Sequence, residues 1–305
     1  MYSTNDQLAR AYKACASLAR EHYENFPVAS RFLPRRLRPH VTAVYAFARV
    51  ADDFADEGNR SPDEREFLLD QWLKCLHACA TVSVAPTFHN RLKVSGVQQE
   101  ALFLALGHTI RVCKLPVVLF EDLLDAFRQD ITTCRYATWN ELLHYCSRSA
   151  NPVGRLMLRI AGYEDQALDR ASDCLCSALQ LTNFWQDLKS DFRRGRIYVP
   201  VTDQEECGAL EEDLEANRFT EEWRCALARV CRRTRALFAD GRSVCDGLRG
   251  RMGFELRLTW LCGSRILDRV EQPGSDVFRD RPVLTFPDSL PILWQAVTWS
   301  KDKIR

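Results

Sequence analysis

Carboxylates recur at helical spacing in two places in this chain, each with an arginine close by. The first run is Y-A-F-A-R-V-A-D-D-F-A-D-E over residues 45–57, holding Tyr45, Arg49, Asp52, Asp53 and Asp56. The second is Q-L-T-N-F-W-Q-D-L-K-S-D over 180–191, holding Gln180, Asn183, Asp187 and Asp191, and F-R-R-G-R-I-Y-V-P follows directly over 192–200. Residues four apart in a helix share a face, with Cβ atoms about 5–6 Å from each other. Asp52 and Asp56 therefore point one way, and so do Asn183, Asp187 and Asp191. Carboxylates held this close repel unless a positive charge lies between them. Mg²⁺ meets that need, since it is commonly held by one or two carboxylates, retained waters and the oxygens of a substrate phosphate. Two such faces turned toward each other across a helical bundle would make a site for a diphosphate.

A lone D-D-x-x-D is equally the pattern of a solvated helix face. Here the acids stand among Val44, Phe47, Val50 and Phe54 in one run and Leu181, Phe184 and Trp185 in the other. Unpaired acids are rarely buried, so the apolar setting favours a ligand. Arg49 lies one turn before Asp52 and Asp53, where it could meet a diphosphate or simply bridge to those acids. Tyr45, one turn earlier again, is a site residue or a core tyrosine. Arg31, Arg35, Arg36 and Arg38 form a basic stretch whose guanidinium forks suit phosphate, though a solvated loop would look the same.

Other constellations carry less. In C-L-H-A-C over 75–79, His77 points away from Cys75 and Cys79 on a helix, so core packing is favoured over zinc. There is no H-E-x-x-H, no G-x-G-x-x-G after a strand and no phosphate-cradling P-loop. With 42 basic and 41 acidic residues, the 305-residue chain has a net charge of +1 and no electrostatic footprint for nucleic acid. No apolar run is long enough to span a membrane, and the start M-Y-S-T-N-D lacks a signal-peptide pattern, so a cytoplasmic protein is expected. The 13 cysteines, including Cys75, Cys79, Cys113, Cys225 and Cys231 in helical patterns, are then expected to be small buried hydrophobes rather than a disulfide framework.

Helical periodicity dominates. Helices are predicted over 5–24, 40–57, from the capping box Ser61/Glu64 with Pro62 at the first position, from Pro116 to Thr132, and over 138–147, 151–162, 167–192, 206–215, 218–248 and 253–271. Residues 84–96 read as a loop, Thr202 and Glu205 as a second capping box, and 272–305, with prolines at 273, 282, 287 and 291, as an irregular tail. The expectation is a single all-α domain over 1–305, a helical bundle with a central site for diphosphate and magnesium.

The two acid runs together with G-R-I-Y-V-P over 195–200 identify the chain as resembling the squalene/phytoene synthase family of head-to-head prenyl synthases. The resemblance runs from about residue 10 to 295. Within the family it is most similar to the bacterial hydroxysqualene-forming enzymes of hopanoid biosynthesis, through H-Y-E-N-F-P-V-A-S at 22–30, A-D-D-F-A-D-E-G at 51–58, R-Y-A-T-W-N-E-L at 135–142, S-A-N-P-V-G-R at 149–155 and N-F-W-Q-D at 183–187. The resemblance implies an isoprenoid-synthase bundle. It also implies that Asp52, Asp53, Asp56, Asn183, Asp187 and Asp191 serve Mg²⁺. Arg49, Arg196 and Tyr198 would meet the substrate diphosphate, with Tyr45 and Gln180 at the reacting centre.

The implied substrate is presqualene diphosphate or another prenyl diphosphate, converted with water to hydroxysqualene and diphosphate without a nicotinamide. Asn151 would hold the attacking water, or else cap the helix that Pro152 begins. The carbocation needs a dry cavity, for which Phe127, Tyr136, Trp139, Tyr145, Phe184 and Trp185 are candidate walls. The chain departs from many condensing relatives at Gln186, where they carry arginine, so one cation fewer is expected near the metals. Two alternatives stand beside this reading: a condensing synthase joining two prenyl diphosphates, and a non-catalytic helical partner protein. Partner pathway enzymes and at most peripheral contact with the inner membrane face, through Arg31–Arg38 with Phe32 and Leu33, complete the expectations.

Overall fold

The computed structural model describes residues 4–21, 33–81, 98–272 and 274–300. Every regular element among them is an α-helix: α1 (Thr4–Glu21), α2 (Arg38–Asp56), α3 (Pro62–Thr81), α4 (Gln99–Cys113), α5 (Val118–Thr132), α6 (Trp139–Ser149), α7 (Asn151–Ile160), α8 (Gln166–Gln186), α9 (Leu188–Arg193), α10 (Val201–Cys207), α11 (Glu211–Glu215), α12 (Glu221–Gly247), α13 (Gly250–Glu271) and α14 (Phe286–Val297). The helices form two compact units, Met1–Thr132 with Arg155–Glu164, and Thr133–Gly154 with Asp165–Arg305.

In the first unit α2 packs against α1, α3, α4 and α5, because its stripe of Val41, Val44, Phe47, Val50 and Phe54 leaves no apolar face for water. Phe47 stands edge-on to Phe103 and Phe120 and lies beside Trp72, whose indole N–H donates to the Phe47 carbonyl at 3.2 Å. The predicted capping box opens α3: Ser61 N–H donates to Glu64 at 2.8 Å and Glu64 N–H to Ser61 Oγ at 3.2 Å. At the other end of α2, Tyr12 Oη bonds the Nδ1 atoms of His40 and His108 at 3.2 and 2.8 Å and Thr109 at 2.9 Å.

The second unit is organised by α8 against α12, with α13 packed on both. Gly241 sets how near α12 comes, since a Cβ there would stand 2.6 Å from the backbone nitrogen of Leu175. Trp185 Nε1 donates to Thr234 Oγ1 at 2.9 Å across the same interface, so this indole is core and not cavity wall.

Several expectations need correction. The helix predicted over 167–192 breaks at Asp187 into α8 and α9, although Asp187 N–H still reaches Asn183 O and Asp191 N–H reaches Asp187 O. The helix predicted over 206–215 is two short ones, ended and separated by Gly208 at φ +72°. Thr202 caps nothing: its N–H is taken by the Ala137 carbonyl, and α10 begins earlier, after Pro200. The tail is not wholly irregular. Thr285 and Asp288 form a capping box for α14, and Pro287 falls in the first turn, where a missing N–H costs nothing.

Cys207 and Cys225 are joined in a disulfide, because α12 returns past the end of α10 and brings the two Cα atoms to 5.9 Å. The other named cysteines, Cys75, Cys79 and Cys231, are buried as expected, and Cys113 is half-buried. Leu33, suspected of touching lipid, is buried at 2 % exposure, and its carbonyl accepts from Arg38 Nε at 3.0 Å. The loop expected at 84–96 and the residues Arg31 and Phe32 lie outside the described residues.

Candidate active site

Each acid run belongs to one unit. In the first, the last turns of α2 carry Arg49, Asp52, Asp53 and Asp56. Arg49 is drawn into a local cage, its Nη2 lying 2.8 Å from Asp53 Oδ1 and 2.7 Å from Glu57 Oε1, with Asp52 Oδ2 at 3.7 Å from Nη1. The bridge and the diphosphate role are compatible, because a guanidinium has five donors and this one keeps partial exposure. Tyr45 is half-buried one turn away, while Phe47, Val50 and Phe54 point into the core. The helix thus sorts its residues by face: apolar inward, Tyr45, Arg49, Asp52 and Asp53 toward the other side.

In the second unit α8 does the same. Leu181, Thr182, Trp185 and Gln186 are buried, whereas Gln180, Asn183 and Asp187 share a half-buried face. Asp191 continues it on α9, and its carbonyl accepts the Arg196 N–H at 2.8 Å. Gly195 at φ +80° makes that turn possible and seats Arg196 at the end of the acidic ladder. The following strand-like segment lies along residues 134–137, with Ile197 N–H donating to Cys134 O and Val201 N–H to Tyr136 O. This presses Tyr198 flat on Phe184, with ring centroids 3.5 Å apart and planes 4° from parallel, next to Tyr136 and Tyr145. Of the expected wall residues, Tyr136, Tyr145 and Phe184 form one aromatic cluster, while Trp139 lies under the Arg233 guanidinium and Phe127 is half-buried in the first unit. Tyr198 was expected at the diphosphate; its ring belongs to this cluster.

Asn151 opens α7 directly, so it is not the residue before the helix. Its side-chain oxygen accepts from Ser177 Oγ at 2.9 Å. Ser177 sits one turn before Gln180 on α8. The approach requires Gly154, where a Cβ would lie 2.3 Å from Ser172 Oγ and 2.5 Å from Cys176 Sγ.

One residue escaped the sequence reading. Arg281 clasps Asp187 with both arms of its guanidinium, Nη2 lying 3.0 Å from Oδ2 and Nε bonding Oδ1, from 94 residues away. The hydrogen bond to Asp187, with the charges of Asp187 and Asp191, raises the pKa of Arg281. Next to it, buried Gln186 donates to the Pro282 carbonyl. The cation deficit read from Gln186 is therefore made good at Asp187 by another part of the chain. The only local signal was R-D-R-P over 279–282, which looks like any turn.

Among the described residues no three His, Cys, Asp or Glu side chains converge to hold a metal by themselves. The donors on both faces are hard oxygens, a set suited to Mg²⁺ completed by water and substrate phosphate.

The profile of the family described as squalene/phytoene synthase matches residues 19–288. A hydroxysqualene synthase of Rhodopseudomonas palustris is 35 % identical over 264 residues, covering 85 % of this chain and 84 % of the relative. The crystal structure of squalene synthase HpnC from Alicyclobacillus acidocaldarius superposes with a TM-score of 0.76 at 39 % identity, covering 87 % of this chain and 94 % of that one. A dehydrosqualene synthase solved with a ligand shares the fold at 20 % identity, with a TM-score of 0.79 over 98 % of this chain and 99 % of its own. The fold is thus that of an all-α isoprenoid synthase, and the chain belongs to the squalene/phytoene synthase family of enzymes.

Proposed function

We propose that this enzyme ionises presqualene diphosphate and delivers the rearranged carbocation to water, releasing hydroxysqualene, diphosphate and a proton. Prenyl diphosphates are the substrates of its family. The observation that carries the reading is the pairing, on one helix, of an oxygen-rich ladder with an aromatic cluster: Gln180, Asn183 and Asp187 run beside Phe184, which is stacked with Tyr198. The ladder suits an anionic leaving group, and the ring faces suit the cation it leaves behind. The relatives named hydroxysqualene synthase support the choice of product.

We read the two compact units as one isoprenoid-synthase domain, since the chain passes between them at 132/133, 154/155 and 164/165. In this reading Asp52, Asp53, Asp56, Asn183, Asp187 and Asp191 are the residues that would hold Mg²⁺. When bound, Mg²⁺ would neutralise charge building on the departing diphosphate. Arg49, Arg196 and Arg281 donate to phosphate oxygens, stabilising the same charge through a fixed array of N–H groups. Tyr45 and Gln180 flank the reacting carbon. Asn151, whose side-chain oxygen accepts a hydrogen bond from the Ser177 hydroxyl, turns its amide N–H group toward a water oxygen. Water ends the reaction, so no hydride donor is needed.

The test is purified enzyme with presqualene diphosphate in ¹⁸O-water. Hydroxysqualene should form carrying ¹⁸O, in the same yield with or without NADPH. A second reading, condensation of two prenyl diphosphates, is favoured by one observation: Arg281 supplies the cation that Gln186 lacks. Products from farnesyl diphosphate alone, or NADPH-dependent squalene as the main product, would replace the first reading with the second.

A further inference from the structure

Arg135 opens the run R-Y-A-T-W-N-E-L, and its neighbour Tyr136 joins the aromatic cluster. Four of the five N–H groups of the Arg135 guanidinium are engaged. Nε and Nη2 donate to the two carboxylate oxygens of Glu211, at 2.8 and 2.7 Å. Nη1 donates to the Gly195 carbonyl at 2.7 Å and to the Cys134 carbonyl at 2.9 Å. A two-armed pairing of this kind fixes a guanidinium in direction as well as distance. All of these groups belong to the second unit.

The contact with Gly195 matters because of what shares its peptide. The Gly195 carbonyl and the Arg196 N–H form one peptide unit, which is planar. Arg135 holds the oxygen of that unit, and the Asp191 carbonyl takes its N–H at 2.8 Å. The plane leading into Arg196 is therefore pinned at both edges. On the far side of Arg196, the Ile197 N–H donates at 3.0 Å to Cys134, the same carbonyl that Arg135 reaches. Nothing lies within 4 Å of where a Cβ on Gly195 would stand, so no packing at that residue steadies the turn. Hydrogen bonds must do it.

The anchor is itself fixed. Thr138 caps α6, and the Glu141 carboxylate accepts the Ala137 N–H at 2.9 Å, two residues past Arg135. The Cys207–Cys225 disulfide closes the segment that carries Glu211. Within that segment, the buried Trp223 indole donates to the Leu210 carbonyl at 2.8 Å, directly before Glu211.

We infer that Arg135, held by Glu211, is a positioning residue for Arg196: it fixes the peptide from which that side chain departs. Arg135 acts through the Gly195 turn and touches no substrate. The hydrogen bonds between the pair raise the pKa of Arg135 and lower that of Glu211, so both stay charged at neutral pH. The inference rests on the diphosphate role proposed for Arg196 and assigns the groups that make Arg196 ready for it.

The experiment is calorimetric titration of the full chain with inorganic diphosphate in Mg²⁺ buffer, repeated on Arg135→Gln, Arg196→Gln and the double variant. Arg135→Gln should weaken binding by roughly tenfold, as misplacing a contact group does. Arg135→Lys should restore little, because one ammonium cannot bridge a carboxylate and two carbonyls. In the Arg196→Gln background, Arg135→Gln should cost less than about twofold, since residues acting through one network are not additive. An equal loss in both backgrounds would make Arg135 a structural tie and overturn the inference. Glu211→Gln keeps the contacts with Gly195 and Cys134 and loosens only the clasp, so it serves if Arg135→Gln fails to fold. Its loss should be smaller and should again require Arg196; a loss independent of Arg196 counts against the inference. If the parent chain does not bind diphosphate, the role of Arg196 fails and the inference with it. If the parent binds and Arg135→Gln binds equally well, the positioning role alone falls. Product identity does not enter this measurement, so failure of the product assignment is a separate result.

Discussion

The two acid motifs of this enzyme keep their charges in check by different means. On α2, Arg49 is neutralised within three turns of its own helix by Asp52, Asp53 and Glu57. On α8 and α9, Asp187 takes its partner from Arg281, 94 residues further on. The first arrangement is complete as soon as one helix forms. The second makes Asp187 depend on how the segment around Arg281 docks. Equal-looking motifs in a sequence can therefore respond unequally to the same change.

Chelation and charge removal test this most severely. Excess EDTA should abolish turnover, and activity that survives it would end the metal reading. Asp52→Asn and Asp187→Asn should each cut kcat by about a hundredfold to a thousandfold or more, as loss of transition-state electrostatics does. Their thermal midpoints should diverge. Asp52→Asn should leave stability level, because Asp53 and Glu57 still hold Arg49. Asp187→Asn should lower it by up to ~1 kcal/mol, the ceiling for a partly exposed pair. Identical midpoints in calorimetry would erase the contrast between the motifs.

A smaller effect is expected at Arg281. Arg281→Gln should reduce diphosphate release by about tenfold to a hundredfold, with Arg281→Lys between, because an ammonium cannot reproduce the two-armed contact. Unchanged kinetics with lowered stability would make Arg281 a structural tie only.

The packing beneath the second motif is probed by Gly241→Ala. Its Cβ would meet the Leu175 backbone at 2.6 Å, which a main chain cannot yield without moving α8. The expected loss is ~1–3 kcal/mol in denaturant unfolding. The same measurement on Gly162→Ala, where nothing lies within 4 Å of an added Cβ but φ is +85°, would report backbone strain alone.

The mildest expectation concerns pH and lies in the first unit. Burial, and for His40 also the nearby His108, lowers the pKa of His40 below its ordinary 6.5; burial and Arg111 do the same to His108. Tyr12, itself raised to about 12 by burial, stays a neutral hydroxyl between them. As pH falls past 6.5, the unfolded chain binds protons before the folded one does. Stability is therefore full above that point and declines as pH drops toward the lowered folded values. The midpoint at pH 5.5 should lie below that at pH 7.5, and by less in His40→Asn/His108→Asn.

How far the sequence could be read follows from range. The face of α2 and the ladder on α8 are set by spacing within one helix, so side-chain period alone revealed them. The capping box at Ser61 is equally local. What escaped reading involves partners far apart in the chain: Arg281 at Asp187, Ser177 at Asn151, Cys207 at Cys225. The misread tail has another cause. Prolines 287 and 291, taken as helix breakers regardless of position, predict an irregular tail, yet Thr285 places the first of them where a helix tolerates it. Gln186 shows the hazard of inferring charge from one position, since the arginine absent there arrives from a different loop.

The Asp187–Arg281 clasp also has a meaning in time. Chains are made from the N-terminus and begin to fold as they emerge. The α2 motif can balance its charges before α8 or Arg281 has been made. The α8–α9 motif must wait until residue 281 has been translated, 94 residues after Asp187 itself. A nascent chain that stalls before that point would carry Asp187 without its arginine and Gln186 without the Pro282 carbonyl. The segment around Arg281 is thus the one that completes the charge balance of the second acid motif.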